Sequence, residues 1–578
     1  MGRLKVLALA GVAAMLALGT IGCGGGGGGD GDALVFGTAT DPTALDGALV
    51  LDGESIRVLY QMTEGLTALQ PGGSEVIPSL ATSWETSGDG LAWTFNLREG
   101  VTFHDGEPFN AEAVCFNFDR WFNLPAALQG DSTTYYWQYG FGGGFANPAE
   151  GAPGPDESLY ESCEAVDELT VTLNLTKPSS TILSTLTLPS LHIVSPAALE
   201  EFEADAGATN DEGLFQPSGT YSTEHPTGTG PYKFESWTVG EELVLTRNDD
   251  YWGEEALTER IIFRPIPDNA ARLQALQTGE IQGYDLVEPQ DVDTIQSDQT
   301  LQLIERPPFN VGYITINQAK PPMDNRLVRE AVAHAINKEE VVDSFYGGRG
   351  IVAVEFMPKE IFGYAEDVPI YEYDPARSRQ LLQQAGLTLP VEIEFYYPTD
   401  VSRDYMPDPK RNFEAFAADL NEAGFRVTPK TAPWSPTYTG LVSAGTAGHL
   451  NLIGWIADFA DPDNFIGTFF QEPKDQFGMN EPAIHKLLDQ AEEEPDEAKR
   501  TLLYQQANRL IMENIPGVPY VHATAALAFD SNIQGFVPSP VGVGGESFAT
   551  VSAGEAEEDG EETEETETDT ETETTETG

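Results

Sequence analysis

Asp458 and Arg403 are the residues of this chain whose type and setting best suit the holding of a charged ligand. Asp458 follows the apolar run Leu450 to Ile456, which reads as a buried strand. It precedes Asp461-Pro462, which reads as a helix start with Asp as N-cap and Pro at the first helical position. Arg403 follows Val391 to Tyr397, which alternates as a strand does. It precedes a second start at Asp408-Pro409, whose helix carries Phe413, Phe416, Ala417 and Leu420 and stops at Gly424. In open α/β sheets, loops at the carboxyl ends of strands are where ligands sit. A fixed anion and a fixed cation in sister loops of one sheet suit a ligand with an ammonium and a carboxylate, such as a peptide. The same two residues also read as a helix-capping Asp and a solvated loop charge, and spacing alone does not choose.

The elements that must position these loops belong to a long chain. At 578 residues it exceeds one core, so two or three domains are expected. Lys and Arg number 30 against 93 Asp and Glu, a net charge of −63. The segment from 554 carries 13 of the acids and no basic residue, which leaves the rest at −50. Such a surface repels phosphates and anionic headgroups, excluding nucleic acid and direct binding to a membrane surface, and it favours a solvated monomer.

The two ends read differently from the middle. Met1 to Gly22 has a short basic start (Arg3, Lys5), an apolar run from Val6 to Leu18 and then small residues, the pattern of an export signal. Ile21-Gly22-Cys23 resembles the bacterial lipoprotein signal, in which the cysteine is lipidated after cleavage, although Thr20 stands where leucine is usual. Residues 23–33 then form a Gly-rich tether. Residues 554–578 are Glu and Thr with almost no apolar side chain, an expected disordered acidic tail.

Between them, Ala33 to Gly37 reads as a short strand leading into Thr38. The text Ile77-Pro78-Ser79-Leu80-Ala81-Thr82-Ser83-Trp84-Glu85, the turn dipeptide Asp89-Gly90, the alternating Leu91, Trp93, Phe95 and Leu97, and Phe103-His104-Asp105-Gly106 read as a series of hairpins. His104 and Asp105 are read as turn residues rather than as a metal or catalytic pair. This run resembles the signature of the family 5 extracellular solute-binding proteins of ABC importers. Gly228-Thr229-Gly230-Pro231-Tyr232, Tyr251-Trp252-Gly253, Asn310-Val311-Gly312-Tyr313, a helix from Arg326 to Lys338 capped by Asp324, and Tyr373-Asp374-Pro375 continue it, from about Ala33 to about Gly542.

The resemblance implies an α/β, two-lobed periplasmic-binding-protein-like fold of three domains with a hinged cleft. Domain I is expected to be discontinuous, from 34–70, 225–305 and 515–550, with Val518 to Phe529 as its returning last strand. Domain II is expected at 71–224 and domain III at 306–514. The dipeptide-binding branch implies that Arg403, in a loop with Tyr405 and Pro407, takes a peptide carboxylate, and that Asp458, three residues after Trp455, takes the ammonium. Trp455 lines a side-chain pocket or belongs to the core, and Thr38 is a further candidate contact. Asp404 departs from the family pattern and is a potential partner for Arg403. The implied role is capture and delivery to membrane permease subunits, with no cofactor and no catalysis. The ligand is a dipeptide or short peptide, or alternatively another small solute such as an oligopeptide, nickel, haem, a sugar or an opine. The implied location is the outer face of the cytoplasmic membrane, through lipid on Cys23. Cys115 and Cys163 then remain as an even pair in an oxidising compartment, either a disulfide or two buried thiols. Phe122 to Tyr160, rich in Gly, Pro and Tyr, reads as a long surface loop beside the ligand entrance.

Overall fold

The computed structural model describes residues 33–130, 133–210, 215–541 and 545–553. Cys23, the export signal, most of the tether and the acidic tail lie outside them. Three sheets organise the rest. A seven-stranded sheet has the order Tyr232–Thr238, Glu242–Arg247, Arg260–Pro265, Ala33–Thr38, Gly283–Tyr284, Ala526–Asp530 and Leu301–Glu305. It draws on three separate stretches of chain, and Ala33–Thr38 pairs in parallel with both neighbours. The rings of Phe36, Phe263, Phe529 and Phe548 meet over it.

A four-stranded sheet, Ala81–Thr86, Ala92–Leu97, Thr170–Leu175 and Tyr160–Asp167, grows from the hairpin at Asp89-Gly90, where Gly90 takes φ +75. Phe95, Leu97, Val171 and Leu173 bury one face beneath the helix Ala111–Phe122, joining one continuous core with the seven-stranded sheet. Cys115 on that helix is bonded to Cys163 on the outer strand. Asp105 accepts from the Glu107 N–H at 3.0 Å within the turn and from the distant Ser195, while His104 Nε2 lies 3.0 Å from the Gly230 carbonyl.

The second lobe is a six-stranded sheet, ordered Gly350–Val352, Gly517–Ala523, Asn310–Ile316, Leu450–Ile456, Val391–Pro398 and Phe425–Ala432. Its strand Asn310–Ile316 is buried on both faces. Val311 and Tyr313 enter one apolar cluster, Ile314 and Ile316 the other, as a period of two requires.

Three expectations need correction. Val518 to Phe529 is not one strand: Gly517–Ala523 pairs with Asn310–Ile316 in the second lobe, and only Ala526–Asp530 joins the seven-stranded sheet. The return crossing therefore falls at Thr524 and Ala525 rather than near 515. The run is apolar throughout because both strands are buried in their respective sheets. The helix expected from Arg326 to Lys338 is two helices, Arg326–Ala335 capped by Asn325 and Lys338–Phe345 capped by Asn337. Each Asn side chain accepts a first-turn N–H, as an N-cap does. Nor is 122–160 a surface loop. Trp137, Phe141 and Phe145 are buried in it, with the rings of Trp137 and Phe141 stacked at 5.0 Å.

Arg306 and Ala525 stand on the two crossings between lobes, and the Arg306 N–H donates to the Ala525 carbonyl at 2.9 Å. The Arg306 side chain is buried in a charged cluster. It reaches Asp285 Oδ1 at 3.1 Å and Oδ2 at 3.0 Å, and its Nε donates to Glu546 at 2.7 Å. Arg57 bonds the same Asp285 at 2.7 Å. Away from the crossings the lobes also touch where the Ser180 N–H donates to the Glu492 carbonyl at 2.8 Å, beside the Lys177–Glu492 ion pair at 3.3 Å.

Candidate functional site

The loops that carry Asp458 and Arg403 leave the same edge of the six-stranded sheet. Leu450–Ile456 and Val391–Pro398 pair in parallel, so their carboxyl ends point the same way. Beyond Arg403 the chain turns tightly, with Arg403 and Met406 exchanging backbone hydrogen bonds at 3.2 and 2.8 Å. It is pinned by Tyr405, whose buried ring packs on Gly454 so closely that a Cβ there has no room. The Tyr405 carbonyl accepts from the hydroxyls of Tyr346 at 2.7 Å and Tyr520 at 2.8 Å. Tyr405 is thus a core residue that fixes the Arg403 loop, and its aromatic ring belongs to the interior of the lobe.

Asp408 caps the next helix, Pro409–Glu422, by accepting from the Arg411 N–H, with Pro at the first helical position. The corresponding start after Asp458 is also as expected, with Pro462 helical and Asp461 before it. The helical turn is Asp463–Gly467, and Asp461 accepts from the Asp463 N–H while its carboxylate is clamped by Arg500 at 2.6 and 2.8 Å. The two oxygens of this carboxylate serve the helix start and the ion pair together.

Asp458 itself is held by two side chains. Asn464 Nδ2 donates to Oδ2 at 3.2 Å, and the Tyr136 hydroxyl donates to Oδ1 at 3.0 Å from the other lobe. The Asp458 N–H returns to Asn464 Oδ1 at 2.8 Å, and Trp455 Nε1 donates to that same oxygen at 3.2 Å. Trp455 also meets Phe469 edge-on at 5.4 Å, so it orients Asn464, which orients Asp458. Burial pushes the Asp458 carboxyl up to about 6, against the lowering effect of its two donors.

Asp458 lines two cavities between the lobes. One, of about 140 Å³, is formed with Tyr60, Tyr136, Ile56 and Val541; the other is about 600 Å³. Arg403 lines neither. Its guanidinium stands 5.4 Å from the ring centre of Trp434, and among the described residues no carboxylate pairs with it. The neighbouring Asp404 is not its partner. Burial pushes the Asp404 carboxyl up to about 6, and the strongest opposing charge is Arg306 of the crossing, ahead of Arg403. Thr38 is buried at the end of its strand and donates to the Thr40 carbonyl at 3.0 Å, away from both cavities. Tyr136, Asn464 and Tyr60 are the residues that motif reading missed. Tyr136 comes from a segment without periodicity, and nothing local to it points to Asp458.

Comparison with known proteins agrees with this architecture. Residues 75–477 match the family model of the bacterial extracellular solute-binding proteins, family 5. The chain is 30% identical over 517 residues to the dipeptide-binding protein of Escherichia coli (strain K12), covering 87% of this chain and 90% of that protein. It is 29% identical over 526 residues to heme-binding protein A of Haemophilus influenzae, covering 88% and 91%. The solved structure of the ABC transporter-associated periplasmic binding protein DppA from Helicobacter pylori, in complex with the peptide STSA, superposes with a TM-score of 0.74 at 28% identity. That match covers 90% of this chain and 98% of the other. The chain belongs to the bacterial extracellular solute-binding proteins, family 5.

Proposed function

We propose that this protein is the extracytoplasmic receptor of an ABC importer, capturing dipeptides or other short peptides between its lobes and delivering them to membrane permease subunits. The observation that carries this reading is the shared sheet edge of the Asp458 and Arg403 loops, with Asp458 on the walls of the interlobe cavities. Asp458 takes the ligand ammonium and Arg403, unpaired among the described residues, takes the carboxylate. Tyr405 holds the Arg403 loop, and Trp455 acts on the ligand through Asn464 and Asp458. Lipid on Cys23 tethers the receptor to the outer face of the membrane, and a monomer suffices because both anchors lie on one chain.

Similarity by itself does not select the solute, since the dipeptide and haem receptors are equally distant at 30% and 29% identity. The pairing of a fixed anion with a fixed cation favours a zwitterion. An extended chain advances about 3.3–3.6 Å per residue, so two anchors on rigid loops accept one length best. The test is calorimetric titration with alanine dipeptide, alanine tripeptide and N-acetylated alanine dipeptide. The dipeptide is expected to bind at least about tenfold more tightly than either, the ratio that about 1.4 kcal/mol gives. Equal affinity for all three removes the two-anchor arrangement.

A further inference from the structure

The larger cavity beside Asp458 is strongly polarised. One wall is Tyr135 and Tyr139 of the first lobe, their rings 5.1 Å apart; the other is the second lobe's segment beyond Asp458. Five carboxylates line it, those of Asp458, Asp463, Glu472, Asp475 and Asp489. Among the described residues a single cation faces them, Lys474, whose Nζ lies 2.7 Å from Glu472 and is spent there. An acidic body alone does not account for this: Glu355 keeps one oxygen without a donor among the described residues, but other buried carboxylates of the lobes are compensated. Asp46 has Arg120, Asp285 has two arginines, and Glu64 accepts from Thr229, Tyr251 and Trp252.

Asp463 is different. Its Oδ1 is buried and has no donor among the described residues. The nearby Arg500 is committed to Asp461 through two bonds, and on Asp463 the charges of Glu492 and Asp461 outweigh those of Arg500 and Lys177. The Asp463 side chain is half-buried and this oxygen has almost no accessible surface, so a cation in the cavity offsets the charge of the carboxylate without bonding that oxygen. The lining does not suit a metal ion: among the described residues no three potential ligands stand close enough together to hold one. The volume, about 600 Å³, is that of a small-molecule site rather than of an ion. The aromatic wall adds the faces to which ammonium and guanidinium groups are drawn.

We propose that this cavity receives the side chain of the ligand's first residue and selects a cationic one, lysine or arginine, over neutral and acidic side chains. Asp458 stands on the wall between the two cavities, so a ligand whose ammonium it holds has its first side chain at the mouth of the larger one. The inference rests on the peptide reading of the site. Asp463 and Asp458, both half-buried, supply the inner part of the field. Glu472, Asp475 and Asp489 supply an exposed rim that salt screens.

The test is calorimetry at about pH 8, where raised carboxyls are ionised, with the dipeptides Lys-Ala, Ala-Lys, Ala-Ala and Glu-Ala. Lys-Ala is expected to bind at least tenfold more tightly than Ala-Ala, and Glu-Ala more weakly than both. Ala-Lys carries the same charge at the second position and should gain less than threefold, which separates the cavity from general attraction to an acidic protein. Asp463→Asn should cut the Lys-Ala to Ala-Ala ratio at least threefold. Asp475→Asn, on the exposed rim where folding is not at issue, should cut it at low salt and have little effect at about 300 mM NaCl. Ala-Lys gaining as much as Lys-Ala overturns the inference, as does a ratio near one or a ratio that survives both substitutions. In each of those cases the dipeptides still bind and the peptide reading stands. Failure of all four to bind overturns that reading and this inference with it.

Discussion

The Tyr136 hydroxyl donates to Asp458 Oδ1 at 3.0 Å, linking residues 322 positions apart and on opposite lobes. The bond makes the candidate ammonium anchor part of the contact that closes the cleft. A hydrogen bond to a charged group contributes about 1.5–3 kcal/mol. Tyr136→Phe keeps the ring and removes the donor, and should weaken dipeptide binding about tenfold. Calorimetry on the variant checks this, and unchanged affinity means that the bond is absent from the liganded state.

Binding should depend on pH through Asp458. Burial raises its carboxyl to about 6, and an ammonium ligand requires the ionised form. Affinity is then nearly full above about pH 7, about halved at pH 6 and lower by about tenfold at pH 5. Asp463, raised to about 7, acts in the same direction for a cationic side chain. Asp458→Asn should bind weakly at all pH values and flatten the profile between pH 5 and 7. A variant that keeps the wild-type slope assigns the titration to another group.

Arg403 is expected to be the second anchor. Arg403→Ala should cost about 2–5 kcal/mol in dipeptide binding, because the ligand carboxylate is left desolvated without its cation. Arg403→Lys should restore only part of this, since an ammonium lacks the planar fork that meets both carboxylate oxygens. Wild-type affinity in the alanine variant excludes Arg403 from the site.

The charged cluster at the crossings should matter to stability. Arg306 joins Asp285 and Glu546 in a place where all three are buried. Arg306→Met leaves Asp285 and Glu546 to share Arg57 alone and should destabilise the fold by about 3–5 kcal/mol. Denaturant unfolding measures it. A loss below about 1 kcal/mol means that Arg57 alone satisfies Asp285.

The Cys115–Cys163 bond closes a span of 48 residues. Restricting the unfolded chain over such a span stabilises by about 2–4 kcal/mol. Cys115→Ala/Cys163→Ala should therefore melt at a lower temperature than the oxidised protein. It should also be insensitive to reductant, in contrast to the wild type. Equal melting with and without reductant shows that the bond contributes nothing measurable.

Much of the second lobe was legible in the chain because its signals are local. Leu450–Ile456 is a strand over the predicted residues, and Asp408 caps its helix ahead of Pro409 as expected. The alternation of 391–397 and the stop at Gly424, which takes φ +103, follow from backbone sterics and side-chain period within a few residues. The signature from Ile77 to Gly106 pointed to the family that the comparisons show.

What the chain could not disclose depends on partners distant in sequence. That the capping Asp461 also meets a guanidinium depends on Arg500, 39 residues later. Asp404 is adjacent to Arg403 in sequence, yet the strongest opposing charge on its carboxyl is Arg306 at the crossing. The apolar text of 517–529 is the same whether it forms one strand or two, since each sheet asks only for burial. Its division at Thr524 was decided by which strand lay beside it. Tyr136 had no periodicity to mark it and became part of the site only when the two lobes met. Local propensity thus determined the elements and the loops that carry charge. The choice of partner for each charge was left to tertiary packing, because electrostatic and hydrogen-bond energies depend on distances that sequence spacing does not contain.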